Sequence, residues 1–296
     1  MPAITRFAPS PTGWLHLGHA YAAHWAWQRA RSAGGKFFVR MEDGDAGRVR
    51  QEYVAAILDD LRWLGLDWDG PVLCQSTRQS AYDSALAALS ARGLLYPCFC
   101  TRKEIHDEIA RMGGAPHGPD GPLYPGNCRH LSAAERADRL QAGENPAWRL
   151  DTSAAIRQAG PLVWFDRRHG QQQARPDLLG DVILARKDSA CSYHLAVVVD
   201  DAWQEIALVT RGEDLLPATH MHRLLQAILD LPVPEWEHHP LVRDAHGRRL
   251  AKRDNDRALR TLRDQGWSPE QVLARSLADC SHSSEGEPDA NVDFLC

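Results

Sequence analysis

Two histidines and a glycine, in the run His16-Leu17-Gly18-His19, follow Pro9, Ser10, Pro11, Thr12 and Gly13 where a strand gives way to a helix. Small residues at such a turn let a phosphate chain approach the backbone. The helix N-terminus offers unpaired N–H groups, and two imidazoles can donate to phosphate oxygens as charge develops. Taken alone, paired histidines at a helix start are more often solvated or capping. A second cluster is Cys98-x-Cys100 followed by Tyr124-x-x-x-Cys128, on either side of a Gly/Pro-rich stretch. Three thiolates suit zinc, and a structural site needs a fourth ligand, for which chemistry alone offers His106, His117 or His130. A basic run, RRLAKRD at 248–254, reads in isolation as an exposed loop.

The elements that must position these groups follow an α/β alternation. ITRF reads as a strand, the next helix ends near Gly34 and Gly35, and KFFVRME resumes strand character, which is a βαβ beginning. Apolar spacing predicts helices over 51–64 and 78–92, and such alternation favours a parallel sheet. Between Tyr96 and His130 the pattern breaks: CFCTRKEI is followed by GGAPHGPDGPLYPGNC (113–128), a loop too rich in Gly and Pro for regular elements. Strand character returns at 161–165 and 181–186, and α/β alternation resumes into a helix near His220 to Leu229. The expected organisation is one α/β domain split by an insertion: first half 1–95, inserted subdomain 96–190, second half 191–240, a basic loop and helical segment 241–279, and a polar, flexible tail 280–296.

With 296 residues and 44% hydrophobic composition the chain can bury a substantial core. It contains neither a run of ~20 apolar residues nor an export signal, so the expectation is a cytoplasmic protein without membrane contact. Seven cysteines, an odd number, do not read as a disulfide framework. A formal charge of −5 argues against generic nucleic-acid binding, so RNA contact requires a local patch, for which Arg167, Arg168, Arg243, Arg248 and Arg253 are candidates. Of the ten tryptophans, Trp25, Trp27, Trp63 and Trp68 sit in contexts that suggest core packing.

The segment RFAPSPTGWLHLGH resembles the ATP-binding HIGH segment of glutamyl-tRNA synthetases, a class I family. The resemblance continues in family order through VRMEDGD (39–45), SYHLAVVVDD (192–201), TRGEDLL (210–216) and RRLAKRD (248–254). It implies a Rossmann-type parallel-sheet catalytic domain with a zinc-containing insertion and a short helical C-terminal segment. It implies ATP binding by His16, Gly18, His19, Arg249 and Lys252, with His16, His19 and Lys252 catalytic and Mg²⁺ accompanying ATP. Ala251 departs from the family's KMSKS-type loop by lacking a hydroxyl. The resemblance also places L-glutamate among Arg6, Ala8, Ser10, Glu42, Tyr193 and Arg211, with Glu42 facing the ammonium and Arg6 or Arg211 facing carboxylates. For the metal it favours Tyr124, completing Cys98, Cys100, Tyr124 and Cys128 around one structural zinc per chain.

After the basic loop only residues 255–296 remain, so no anticodon-binding domain is expected. The chain therefore resembles a truncated branch of the family that makes glutamyl-adenylate and attaches glutamate to the queuosine base in the anticodon of aspartate tRNA, acting as a monomer. The alternatives are ordinary glutamylation of a tRNA 3′ end, or a non-catalytic zinc-containing RNA-binding module.

Overall fold

Strand residues buried on both faces demand a sheet covered on both sides, and Phe37, Val39 and Met41 on one face of the 37–41 strand and Arg40 on the other are each fully buried. The computed structural model describes residues 2–45, 47–111, 117–119, 121–187, 191–242 and 258–281. In chain order the elements begin β1 (Thr5–Phe7), α1 (Leu17–Ser32), β2 (Phe37–Met41), α2 (Gln51–Trp63), β3 (Leu73–Cys74), α3 (Gln79–Ala91) and β4 (Leu95–Cys98). Next come α4 (Arg102–Arg111), β5 (His117–Gly118), β6 (Gly121–Pro122), α5 (Ala133–Gln141), β7 (Ala147–Leu150), α6 (Thr152–Ala159), β8 (Val163–Asp166), β9 (Gly170–Gln173) and β10 (Ile183–Ala185). The chain continues through α7 (Tyr193–Trp203), β11 (Leu208–Gly212), α8 (Leu216–Ile228), β12 (Glu235–His239), α9 (Leu259–Asp264) and α10 (Pro269–Ser281).

β1, β2 and β3 pair in parallel, and β11, β12 and β8 pair in parallel with β9 added as an antiparallel hairpin. The carbonyl of Ile4, just before β1, accepts from the N–H groups of Ala207 and Leu208 at the start of β11, so the two strand sets lie side by side. The carboxyl ends of β1, β2, β11 and β12 thereby converge, which is where open parallel sheets bind ligands. A separate antiparallel sheet orders β10-β7-β4. The segment between the two halves of the sequence thus contributes to both sheets, β8 and β9 to one and β4, β7 and β10 to the other.

α1 packs closely because its buried face is small: Ala20, Ala23, Ala26 and Ala30 are at most 1% exposed, and Val272 of α10 shares their core. Among the described residues no helix is long and apolar enough to cross a membrane.

One expectation needs correction. The Gly/Pro-rich stretch is not without regular elements, because β5 and β6 pair within it, and ahead of it stands α4, where the sequence pattern assigns no element. Thr101 Oγ1 accepts from the Glu104 N–H at 3.2 Å, while the Glu104 carboxylate accepts from the Thr101 N–H at 2.6 Å and its hydroxyl at 2.9 Å. That reciprocal cap starts a helix that Gly and Pro prevent only further along. The basic loop around Lys252 and residues 282–296 of the expected tail lie outside the described residues.

Candidate active site and metal centre

At the converging strand ends lies a cleft of about 540 Å³. Arg6, Ala8, His16, Gly18, His19, Glu42, Tyr193 and Arg211, all singled out in the sequence, line it. Ser10 is exposed and stands outside that wall. Arg249 and Lys252 fall in the undescribed segment, whose described flanks both reach the cleft. Val242 lines it, and Ala258 bridges His16 while the Leu259 N–H donates to the Leu15 carbonyl at 2.8 Å.

The HLGH turn is built by a cap. His16 is the N-cap of α1, and its Nδ1 accepts from the Gly18 N–H at 3.1 Å; His19 Nδ1 in turn accepts from the His16 N–H at 3.2 Å. Both imidazoles use Nδ1 as acceptor, so in the neutral rings the proton sits on Nε2. Two Nε2–H donors and a helix start with no acidic residue in its first turn therefore border the cleft. Glycine is needed at position 18: a Cβ there would lie 3.1 Å from His16 Cε1 and 3.2 Å from its Nδ1, pushing the ring off its cap.

The opposite side of the cleft carries buried charge. Arg6 donates from Nε and Nη2 to the two Asp201 oxygens at 2.9 and 3.4 Å, and from Nη1 to the Thr210 carbonyl at 3.2 Å. Arg40 reaches the same Asp201 at 2.8 Å. Burial works against ionisation of Asp201, but Arg6 and Arg40 outweigh it and hold its carboxyl below the usual range. Asp201, which fixes Arg6, is a residue that sequence reasoning left without a role; its signal was an adjacent acidic pair closing the apolar run of α7. Its neighbour Asp200 faces elsewhere, toward Gln75, Arg78 and Tyr82. Tyr21 and His239, in edge-to-face contact at 5.0 Å, also line the cleft and were likewise missed.

Glu42 follows β2 and has Arg40 at 4.0 Å. Burial, only partly offset by Arg40 and Arg6, pushes its carboxyl up to about 7. A cationic ligand group would restore the anion. Below that value the empty site holds Glu42 protonated, and pairing with an ammonium must expel the proton. The KM for an amino-acid substrate is therefore expected to be flat above about pH 8 and to rise nearly tenfold per unit once pH falls below about 6. Glu42→Gln should raise that KM at neutral pH, remove its pH dependence and leave the KM for ATP unchanged. Initial rates across pH, with each substrate varied in turn, check this; a Gln variant that keeps the slope would sink the assignment.

The metal cluster assembles from β4 and the turn at Asn127–His130. The Sγ atoms of Cys98, Cys100 and Cys128 lie within 4.8 Å of one another. The Tyr124 hydroxyl stands 3.4 Å from Cys98 Sγ and 3.6 Å from Cys100 Sγ, and Cys100 and Cys128 are 3.4 Å apart. A tetrahedral site with ~2.3 Å metal–sulfur bonds spaces its donors at about 3.8 Å, so the set fits a small thiophilic cation. His106 and His130 are exposed, and Tyr124 is the side chain that the structure adds to the three thiols. Cys128 is held down to about 6 by the hydrogen bond from Cys98, against burial and with help from the Phe99 N–H. That same bond, with burial, pushes Cys98 up to about 12.

Residues 3–286 match the model of the catalytic domain of class I tRNA synthetases (E and Q), and the chain belongs to that family of ligases. Among curated relatives, the glutamyl-Q tRNA(Asp) synthetase of Rhodobacter capsulatus is 50% identical over 91% of this chain and 98% of its own. A protein of the same name from Nocardia farcinica is 48% identical over 91% of this chain and 82% of its own. A solved glutamate tRNA ligase from Elizabethkingia meningosepticum, in complex with its amino acid, superposes with a TM-score of 0.73 at 28% identity. That superposition covers 86% of this chain, which spans only 53% of that ligase.

Proposed function

We propose that this protein activates L-glutamate with ATP to glutamyl-adenylate and transfers the glutamate to the queuosine base in the anticodon of aspartate tRNA. The observation that carries the activation step is the two-sided cleft. One wall is the capped HLGH turn with its Nε2–H donors; the other brings Glu42, Arg6 and Arg211 to the same lining, an acid for an ammonium and cations for carboxylates. The choice of RNA rests on relatives of matching length that carry the glutamyl-Q tRNA(Asp) name.

In the first step an oxygen of the glutamate carboxylate attacks the α-phosphate and pyrophosphate leaves. His16, His19, the α1 N-terminus and Lys252 meet the charge that develops on the phosphate oxygens, and Mg²⁺ carried by ATP would supply further neutralisation. Glu42 holds the ammonium and Arg211 a carboxylate, so the nucleophile is oriented before reaction. In the second step a hydroxyl of the queuosine cyclopentenediol attacks the activated carbonyl and AMP leaves. Zinc is the natural cation for Cys98, Cys100, Tyr124 and Cys128, where it would act structurally. The setting is cytoplasmic, and one chain suffices for the cleft.

Glutamate-dependent exchange of pyrophosphate into ATP, measured without tRNA and with aspartate and glutamine as controls, is expected for glutamate alone. Labelled glutamate should then transfer to queuosine-containing aspartate tRNA and not to its queuosine-free form. Label on the 3′ end of glutamate tRNA would replace this reading with ordinary aminoacylation, and no exchange under any condition would leave an RNA-binding module.

A further inference from the structure

Of the arginines other than Arg211 that are buried among the described residues, Arg6 and Arg40 answer to a carboxylate while Arg149 donates to the Asp181 carbonyl at 2.6 Å, and the half-buried Arg29 and Arg78 also meet carboxylates. Arg29 meets Glu237 at 2.7 Å, Arg40 meets Asp201 at 2.8 Å, Arg78 meets Asp200 at 3.0 Å and Arg6 meets Asp201 at 2.9 Å. Arg211, 6% exposed, is held differently. Its Nε donates to His238 Nε2 at 3.1 Å, Nη1 donates to Tyr193 OH at 3.2 Å and meets His222 Nδ1 at 3.1 Å, and Nη2 donates to Thr219 Oγ1 at 2.5 Å. All of these are uncharged partners.

The carboxylate in this network stands one ring further back. Asp166 Oδ2 lies 2.6 Å from His238 Nδ1 and accepts from the His238 N–H at 3.1 Å, while its Oδ1 accepts from the N–H groups of Arg168 and His169 at 2.8 and 3.0 Å. Asp166 spends its charge on four donors and fixes the His238 proton on Nδ1, so Nε2 must present its lone pair to Arg211. β11 and β12 pair with Arg211 directly across from His238, so the sheet register sets the contact. His222 repeats the arrangement: with Nδ1 turned to Arg211, its Nε2–H lies 3.2 Å from His194 Nδ1. Burial keeps both rings neutral, with His238 down at about 4.

We propose that His238, oriented by Asp166, together with Thr219 and His222 positions Arg211 through neutral acceptors, so that the guanidinium keeps its full charge for a carboxylate of the amino-acid substrate. These are positioning residues, and the proposal rests on the glutamate-activation reading. Were Arg211 a purely structural cation, a carboxylate in direct contact would stabilise it better, as Asp201 does for the buried Arg6 and Arg40. A direct carboxylate would also compete with the ligand. Neutral acceptors fix the planar fork without that competition.

The test is pyrophosphate exchange on the full chain, with KM for glutamate and for ATP measured separately. His238→Phe should raise the glutamate KM roughly 10- to 100-fold and leave the ATP KM within about twofold, because a hydrogen bond to a charged group is lost on one side of the cleft. His238→Gln, whose Oε1 can stand near the Nε2 position, should recover most of that loss. Thr219→Val, nearly isosteric and safe for folding, should raise the glutamate KM about tenfold by the same route. Equal KM changes for both substrates, no difference between Phe and Gln, or an unchanged Thr219→Val would overturn the positioning role while leaving glutamate activation intact. A wild-type protein inert toward glutamate would overturn both.

Discussion

Arg211→Met is expected to lower kcat/KM for glutamate in adenylate formation by roughly 10² to 10⁴-fold while the melting temperature stays level or rises. The two halves of this result have one cause. Arg211 is a buried cation whose hydrogen-bond partners among the described residues are uncharged, and desolvation pulls its pKa below the arginine norm. Folding therefore bears the cost of burying a charge that no carboxylate among the described residues contacts directly, and an apolar side chain of similar length removes that cost. Binding loses a charge-assisted contact worth about 3 to 5 kcal/mol once the partner carboxylate is stranded in the cleft. Arg211→Lys should rescue little, since an ammonium cannot satisfy His238, Thr219 and His222 while also meeting a carboxylate. Arg6→Met should behave in the opposite sense for stability, because Arg6 neutralises Asp201 and its loss leaves Arg40 alone to do so. Exchange kinetics and thermal melts on the two variants decide the point. A destabilised Arg211→Met, or one that activates glutamate normally, would show that the cleft's free cation lies elsewhere.

What could be read from the sequence follows what is local. The βαβ opening, α2 and α3 were legible because apolar periodicity and Gly stops act within one element, and the observed Gln51–Trp63 and Gln79–Ala91 differ from the expected spans by one residue at each discrepant end. The HLGH turn was legible because its cap uses four consecutive residues. α4 was hidden because its start depends on the Thr101–Glu104 side-chain exchange, while the surrounding Gly and Pro dominated the composition. The network behind Arg211 was illegible for a different reason. Asp166, Arg211 and His238 lie on three separate strands, and only the pairing of β8 with β12 and of β12 with β11 brings them together. No spacing rule announces a register between strands so far apart in sequence. Asp201 shows the intermediate case: the acidic pair was visible, but which of its members meets Arg6 and Arg40 depends on how α7 is rotated against β1 and β2.

If the cluster holds one metal ion per chain as proposed, exchanging Cys98 for serine is expected to release it and loosen the inserted region without abolishing glutamyl-adenylate formation. Cys98 ends β4, and its backbone pairs with Ala147 of β7, so the cluster ties the loop around Tyr124 and Cys128 onto the antiparallel sheet. Without a cation, buried thiols and a phenol with few apolar neighbours must hold that loop, and a structural zinc contributes far more than such a core. The cleft is built from other elements, so pyrophosphate exchange should fall by no more than about threefold, whereas transfer of glutamate to RNA should be lost if the insertion guides the nucleic acid. Tyr124→Phe separates the fourth ligand from a bystander. It keeps the ring beneath Arg149, 3.8 Å from the guanidinium carbon, and deletes only the oxygen that stands 3.4 Å from Cys98 Sγ. As a ligand, Tyr124 should cost about 100-fold or more in metal affinity when its hydroxyl is removed. Metal content by mass spectrometry, hydrogen exchange over residues 95–150, and competition with a chelator measure the three effects. An unchanged affinity in Tyr124→Phe would return the fourth position to one of the histidines of the insertion.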